Sequence, residues 1–122
     1  MKITKVSNKG IEIAVIESKD VILMDVQSAL DLMATISYET GCYRIAINKE
    51  AVIEDFFKLS TGIAGDILQR FINYQTKFAI WGDFSVYTSK ALKDFIYESN
   101  RGNSIYFTST QEEAINKLTN TK

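Results

Sequence analysis

The residues best suited to chemistry gather around one stretch, Ala51–Tyr74, which reads AVIEDFFKLSTGIAGDILQRFINY. Ser60, Thr61 and Gly62 stand just before an amphipathic run, where a helix N-terminus offers unpaired backbone N–H groups and partial positive charge. Three chemistries suit such a place. A hydroxyl can cap the helix by accepting from an orphan N–H, the N–H groups can hold an anion, or Ser60 or Thr61 can carry a phosphate that the helix end stabilises. Glu54 and Asp55 add carboxylates upstream, Asn48 ends one apolar segment, and Asp83 and Ser85 follow another. Open α/β sheets take their ligands at the rim formed by such strand-to-helix loops. Asn48, Asp83 and Ser85 could therefore converge with Ser60 and Thr61 on a small polar ligand or Mg²⁺, although the same residue types also serve as turn formers. Phe56, Phe57, Trp81, Phe84 and Tyr87 concentrate aromatic rings near the same rim, a composition found at protein interfaces. Trp81 falls in a buried strand and is expected in the core, while Phe84 and Tyr87 fall in a loop and are expected at the surface.

Other residues offer less. Gly62 and Gly65 form GIAG, which lacks the lysine of a P-loop and the third glycine of a dinucleotide fingerprint; close packing of helix on sheet explains it more simply. Arg101, after an apolar helix, suits the negative end of the helix dipole. Cys42 is the single cysteine; without a second cysteine or a histidine it reads as a small buried thiol, and no internal disulfide is open to it. The chain has no histidine at all, so it lacks the most common general base near neutral pH and the usual ligand of zinc sites. No cofactor and no metal site are expected, and the balance leans away from an enzyme.

The bulk properties agree with a soluble cytoplasmic module. Net charge is −1 with no basic block, which offers no footprint for nucleic acid. No apolar run approaches the roughly 20 residues that span a bilayer, and Met1 is followed by no secretory signal. At 122 residues the chain suits one domain.

The elements that must position these residues alternate. Lys2–Val6 and Gly10–Glu17 predict a hairpin around Ser7-Asn8-Lys9-Gly10, and Val21–Met24 extends it or enters the next helix. Asp25 is the expected N-cap of a helix through about Glu39, with Val26, Ala29, Leu30, Met33 and Ile36 at helical spacing and Gly41 as the stop. Arg44–Asn48 reads as a strand buried on both faces. A second helix carries Ile63, Ala64, Ile67, Leu68, Phe71 and Ile72; Lys77–Gly82 is a strand. Ser89–Asn100 is a helix with Ala91, Leu92, Phe95 and Ile96 inside, Ser104–Thr108 a strand, and Thr110 caps a last helix with Ala114, Ile115 and Leu118 inside. Thr119–Lys122 is expected to fray. The order ββαβαβαβα predicts a single α/β domain: a mostly parallel sheet with an antiparallel N-terminal hairpin at its edge, the strands at 44–48, 77–82 and 104–108 central, and helices on its faces.

That order, with Ser60-Thr61-Gly62 in its loop, resembles the STAS domain of bacterial anti-sigma-factor antagonists, in which a strand leads to Asp-Ser-Ser-Gly and then a helix. Leu59 stands where that family has the aspartate. The runs DVQSALDLMATISYETGC, NKEAVIEDFF, TGIAGDILQRFINY and GDFSVYTSKALKDFIYESNRG resemble the uncharacterised bacterial family called domain of unknown function 4180 over almost the full length. The STAS resemblance implies a regulatory module that binds a protein partner through residues 57–68, switched by phosphate on Ser60 or Thr61; Ser60, Thr61 and Gly62 are the candidate phosphorylation or anion site. The alternative is a ligand-binding or hydrolytic domain using the rim. Asn48, Phe57, Asp83, Phe84, Ser85 and Tyr87 are the candidate contacts for partner or ligand. A protein partner is expected and a homodimer is open; nucleic acid and membrane are not expected.

Overall fold

The computed structural model describes residues 1–122. Five strands, β1 (Lys2–Asn8), β2 (Ile11–Glu17), β3 (Arg44–Asn48), β4 (Lys77–Trp81) and β5 (Ile105–Thr108), form one sheet in chain order, with β1 antiparallel to β2 and the remaining pairs parallel. The α/β architecture and the hairpin edge agree with the alternating sequence pattern. One expectation fails: β5 is not central but forms the second edge, because the strand order never doubles back.

The hairpin closes tightly. Lys9 and Gly10 have φ of 53° and 79°, the pair of positive values that lets a two-residue turn follow strand twist. The first strand therefore runs two residues further toward the turn than the pattern suggests, to Asn8, while the second starts at Ile11 rather than Gly10, and Asn8 pairs with Ile11.

Helices α1 (Val26–Thr40), α2 (Ile63–Asn73) and α3 (Lys90–Arg101) each link two parallel neighbours. Right-handed crossovers between strands that follow in order put every connecting helix on the same face. On that face Ile16, Ile45, Ile47, Phe78, Ile80 and Phe107 pack under Ala29, Leu32 and Ile36 of α1, Ile67 and Phe71 of α2, and Leu92 of α3. The rings of Phe71 and Phe78 stack at 4.3 Å. The final helix, α4 (Gln111–Asn120), alone covers the other face, setting Ala114 and Leu118 on Ile13, Val15, Ala46, Ala79 and Tyr106. Ala46 and Ala79, the middle residues of two apolar triplets, make room for it.

The expected caps at Asp25 and Thr110 and the stop at Gly41 are present: Asp25 accepts from Ser28 N–H in a capping box, Thr110 accepts from Glu113 N–H, and Gly41 ends α1 with φ 73°. Ser89, expected as the first residue of its helix, is instead the N-cap of α3 and accepts from Leu92 N–H. The apolar stripes are shifted in detail. In α1 it is Leu32 that is buried, with Leu30 and Met33 half-buried; Ile72 and Ala91 are exposed. The expected fraying at 119–122 does not occur through Thr121: its hydroxyl accepts from Tyr106 Oη at 2.7 Å and donates to the Asn103 carbonyl at 2.8 Å. Arg44 donates to the carbonyls of Leu118 and Thr121, satisfying acceptors that a helix end leaves open.

Val21–Met24 is neither strand nor helix. Leu23 forms an isolated parallel bridge with Val52, so this segment runs beside the loop that follows β3.

Candidate functional site at the carboxyl rim

Beyond Asn48 the chain does not pass directly into α2. It forms three short 3-10 turns, Lys49–Ala51, Glu54–Phe57 and Leu59–Thr61, which lay a compact cover over the carboxyl ends of β3 and β4. Asn48 opens the cover. Its carboxamide accepts from Ser18 N–H at 2.9 Å and donates to the Ser18 carbonyl at 2.8 Å, continuing the ladder of β2 and β3 beyond their last backbone pair. Its amide also reaches Glu50 at 3.2 Å. Asn48 is thus committed to the scaffold.

Lys49 follows, a residue that the sequence pattern did not single out. Its ammonium donates to the Asp83 carbonyl at 2.9 Å and lies 4.6 Å from the centre of the Tyr87 ring and 6.0 Å from those of Phe57 and Phe84. Three aromatic faces around one cation form a cage held by ring quadrupoles. Gly82 makes the approach possible: a Cβ placed on it would stand 2.6 Å from Lys49 Cβ. A glycine immediately after an apolar strand was the available clue.

The rings also hold one another. Phe57 stacks on Tyr87 at 5.2 Å and meets Phe84 at 5.8 Å, and Phe84 meets Phe107 edge-on at 5.4 Å. Phe56 and Phe57 are 1% and 3% exposed, so Phe57, a candidate contact by sequence, is a core ring instead. Phe84 and Tyr87 are half-buried against it, and Trp81 is half-buried on the α4 face. The predicted aromatic patch is therefore mostly an internal cluster.

Two rim carboxylates are hydrogen-bonded within the chain. Tyr87 Oη donates to Glu54 at 2.9 Å; partial burial, and then the neighbouring carboxylate, push its phenol well above the ordinary tyrosine range. Asp83 Oδ1 accepts from Ser85 Oγ at 2.5 Å and from Ser85 N–H at 2.9 Å. Those two bonds, the hydroxyl first, hold its carboxyl below the usual carboxylate range. Asp83 and Ser85 thus form a turn of their own beside a shallow cleft that also has Thr108, Ser109 and Glu113 in its walls. Asn48 and Ser60 do not line this cleft. No three Asp, Glu or Cys side chains are grouped so that they could hold a metal ion.

At the start of α2 the capping expectation is corrected. Gly62, at φ 78°, is the N-cap residue and has no side chain with which to cap the helix; the left-handed turn is glycine's by conformation. Thr61 lies in the preceding 3-10 turn. Its hydroxyl is 2.8 Å from both the Asp55 and Lys58 carbonyls, to which it donates, and it accepts a long bond of 3.3 Å from Ile63 N–H. Ser60 is exposed, with no side-chain hydrogen bond. The N–H groups of Ala64 and Gly65 have no acceptor in the chain. Gly65 is exposed with open space at its Cβ position, so close helix packing does not account for it.

Two further candidates lie elsewhere. Cys42 is buried, 3.9 Å from the Thr40 carbonyl, at the opposite end of the sheet. Arg101 is exposed on the last turn of α3, over the Tyr97 ring at 5.5 Å. Asn100, missed by sequence, spans the free edge of β5: it donates to the Phe107 carbonyl at 3.0 Å and accepts from Phe107 N–H at 2.8 Å. No helix is long and apolar enough to cross a membrane.

No curated protein and no solved structure matches the chain. A family sequence model matches residues 8–118. That span begins at the last residue of β1, ends within α4 and contains the whole rim; the chain belongs to the family described as Domain of unknown function (DUF4180).

Proposed function

We propose that the protein is a non-enzymatic regulatory module of the cytoplasm that binds a protein partner through residues 57–68, with phosphate on Ser60 as its switch. The observation that carries this reading is the contrast between adjacent hydroxyls. Thr61 is spent on the carbonyls of Asp55 and Lys58, whereas Ser60 is exposed and free of internal bonds. A phosphate on Ser60 would stand beside the opening turn of α2, whose Ala64 and Gly65 N–H groups lack acceptors and whose dipole favours negative charge. On Thr61 the same group would break the bonds that fold the turn. The aromatic cluster beneath gives the loop a rigid base, and the likeness to the STAS loop Ser-Ser-Gly points the same way. A binding role rather than catalysis is also favoured by the pairing of Asp83 with Ser85 and of Glu54 with Tyr87, since a general base must be available to a substrate proton.

Intact-mass analysis and peptide mapping of the protein from its own host should find phosphate on the peptide that carries Ser60. Ser60→Ala should abolish it, and Ser60→Glu should fold normally while changing which protein copurifies. Absence of phosphate over several growth conditions, with the same partners recovered by both variants, overturns the reading.

A further inference from the structure

At the amino ends of the parallel strands, opposite the rim, a cavity of about 370 Å³ opens between the C-terminal half of α1, the start of β3 and the turn from α2 into β4. A difference in helix length creates it. α1 has 15 residues and α2, packed beside it, has 11, so about 6 Å of α1 continues without a helical neighbour at 1.5 Å per residue. Gln75, at φ 58°, then turns the chain sharply into β4 and leaves the space unfilled.

The lining is apolar and carries no charge. Met33, Cys42 and Thr76 lie at its buried end; Ser37, Tyr43 and Tyr74 are exposed and stand at its mouth, the two tyrosines 63% and 62% exposed. One polar group inside is held poorly. Thr76 is 5% exposed, and the partner of its hydroxyl is the Met33 sulfur, 3.6 Å away. A thioether is a weak acceptor, whereas buried hydroxyls ordinarily find a strong one. Thr76 therefore marks a place for an acceptor that the chain itself does not bring.

We propose that this cavity binds a small, neutral, planar aromatic compound with one oxygen, its rings against Tyr43 and Tyr74 and its oxygen accepting from Thr76. Size supports two fused rings: an apolar cavity of about 150 Å³ holds benzene, and small-ligand pockets begin at about 300 Å³. The uncharged lining disfavours an ion, whose burial would go uncompensated. Tyrosine faces favour an aromatic over an aliphatic occupant through stacked or edge-on ring contacts.

The probe is 1-naphthol, titrated into the isotope-labelled chain and followed by amide NMR, with naphthalene as the comparison. Saturable one-to-one binding is expected, with shifts centred on the amides of Met33, Cys42 and Thr76. Ser37→Trp, on an exposed helix position, fills the mouth and should abolish saturation; Ala34→Phe serves as the second blocking variant if the first fails to fold. Thr76→Val keeps the shape but loses the donor, so it should weaken 1-naphthol by about two- to tenfold, the worth of one hydrogen bond, and leave naphthalene unchanged. No saturation at millimolar probe, undiminished binding in a folded blocking variant, or equal losses for both probes in Thr76→Val overturns the proposal. Sedimentation of the free chain adds a further check. A dimer that dissolves in the Tyr43→Ala/Tyr74→Ala variant would assign the cavity to a second copy and also overturn it.

Discussion

At the carboxyl end of the parallel strands, Asn48, Lys49, Glu54, Thr61 and Asp83 are each bound to a strong partner within the chain, whereas at the amino end a buried threonine hydroxyl rests on a thioether beside open space. The difference reverses the expectation that residue types alone create. The rim holds the carboxylates, amides and aromatic rings that resemble a site, yet it uses most of them to fold three successive 3-10 turns into a firm cover. The foot of the sheet has few polar groups, and it is there that packing is incomplete. A polar side chain is available to a ligand only to the extent that its own chain leaves it unsatisfied. Topology contributes to the contrast. The parallel strands run in order with no reversal, so the rim lacks the crevice that a reversal of strand order opens in doubly wound sheets.

The largest test of this contrast removes one side chain from each end. Phe57→Ala deletes a ring that touches Phe56, Phe84 and Tyr87 and should cost about 3–5 kcal/mol in urea unfolding, the range for buried aromatics. Met33→Ala enlarges a space that already exists, so its cost should fall at or below the low end of the usual range, about 2 kcal/mol. Equal costs would mean that the two ends are packed alike.

A smaller effect is expected at Gly82. Gly82→Ala sets a methyl 2.6 Å from Lys49 Cβ and should cost about 1–3 kcal/mol, as overpacking does. Since the clash is with Cβ, Lys49→Ala should not relieve it, while Lys49→Gly should. A double-mutant cycle measures this directly: additive losses for Gly82→Ala and Lys49→Gly would show that the close approach is not what glycine permits.

The smallest effect concerns pH. Asp83 has a depressed pKa in the folded chain, chiefly through the Ser85 hydroxyl, so its contribution is complete above the ordinary carboxylate value and is lost as pH falls through the folded one. Asp83→Asn should therefore be slightly less stable than the natural chain at neutral pH, and the gap should close below about pH 4. A gap that persists into acid would mean that the Asp83 charge is not what the Ser85 bonds favour.

The fold was more legible in the sequence than the site. Period and caps sufficed for the elements, because Asp25, Thr110 and Gly41 act within one turn of where they stand. Strand order was only partly legible: nothing local to Ser104–Thr108 says that β5 is an edge, since α3 and α4 cover both of its faces and Asn100 occupies its open side. At the rim, Thr61 and Gly62 were recognised as special but given the wrong geometry, because a 3-10 turn inserts ahead of α2 and moves the cap to glycine. Lys49 was overlooked since its partners, Phe57, Asp83, Phe84 and Tyr87, are brought to it only by tertiary folding. The cavity was out of reach for a related reason: it follows from a difference between two helix lengths, while each stripe read alone gives only a face.

The sequential order of the strands has a consequence for how the chain is made. Synthesis delivers the N-terminus first, and each strand, as it emerges, finds its neighbour already in place. The sheet can then grow one strand at a time with its three connecting helices docking in turn, and contacts between near neighbours in sequence favour rapid folding. The opposite face is protected last. Until residues 111–120 leave the ribosome, Ile13, Val15, Ala46, Ala79 and Tyr106 form a wet apolar sheet surface, and a nascent chain paused there would present chaperones with a nearly finished sheet lacking only its final helix.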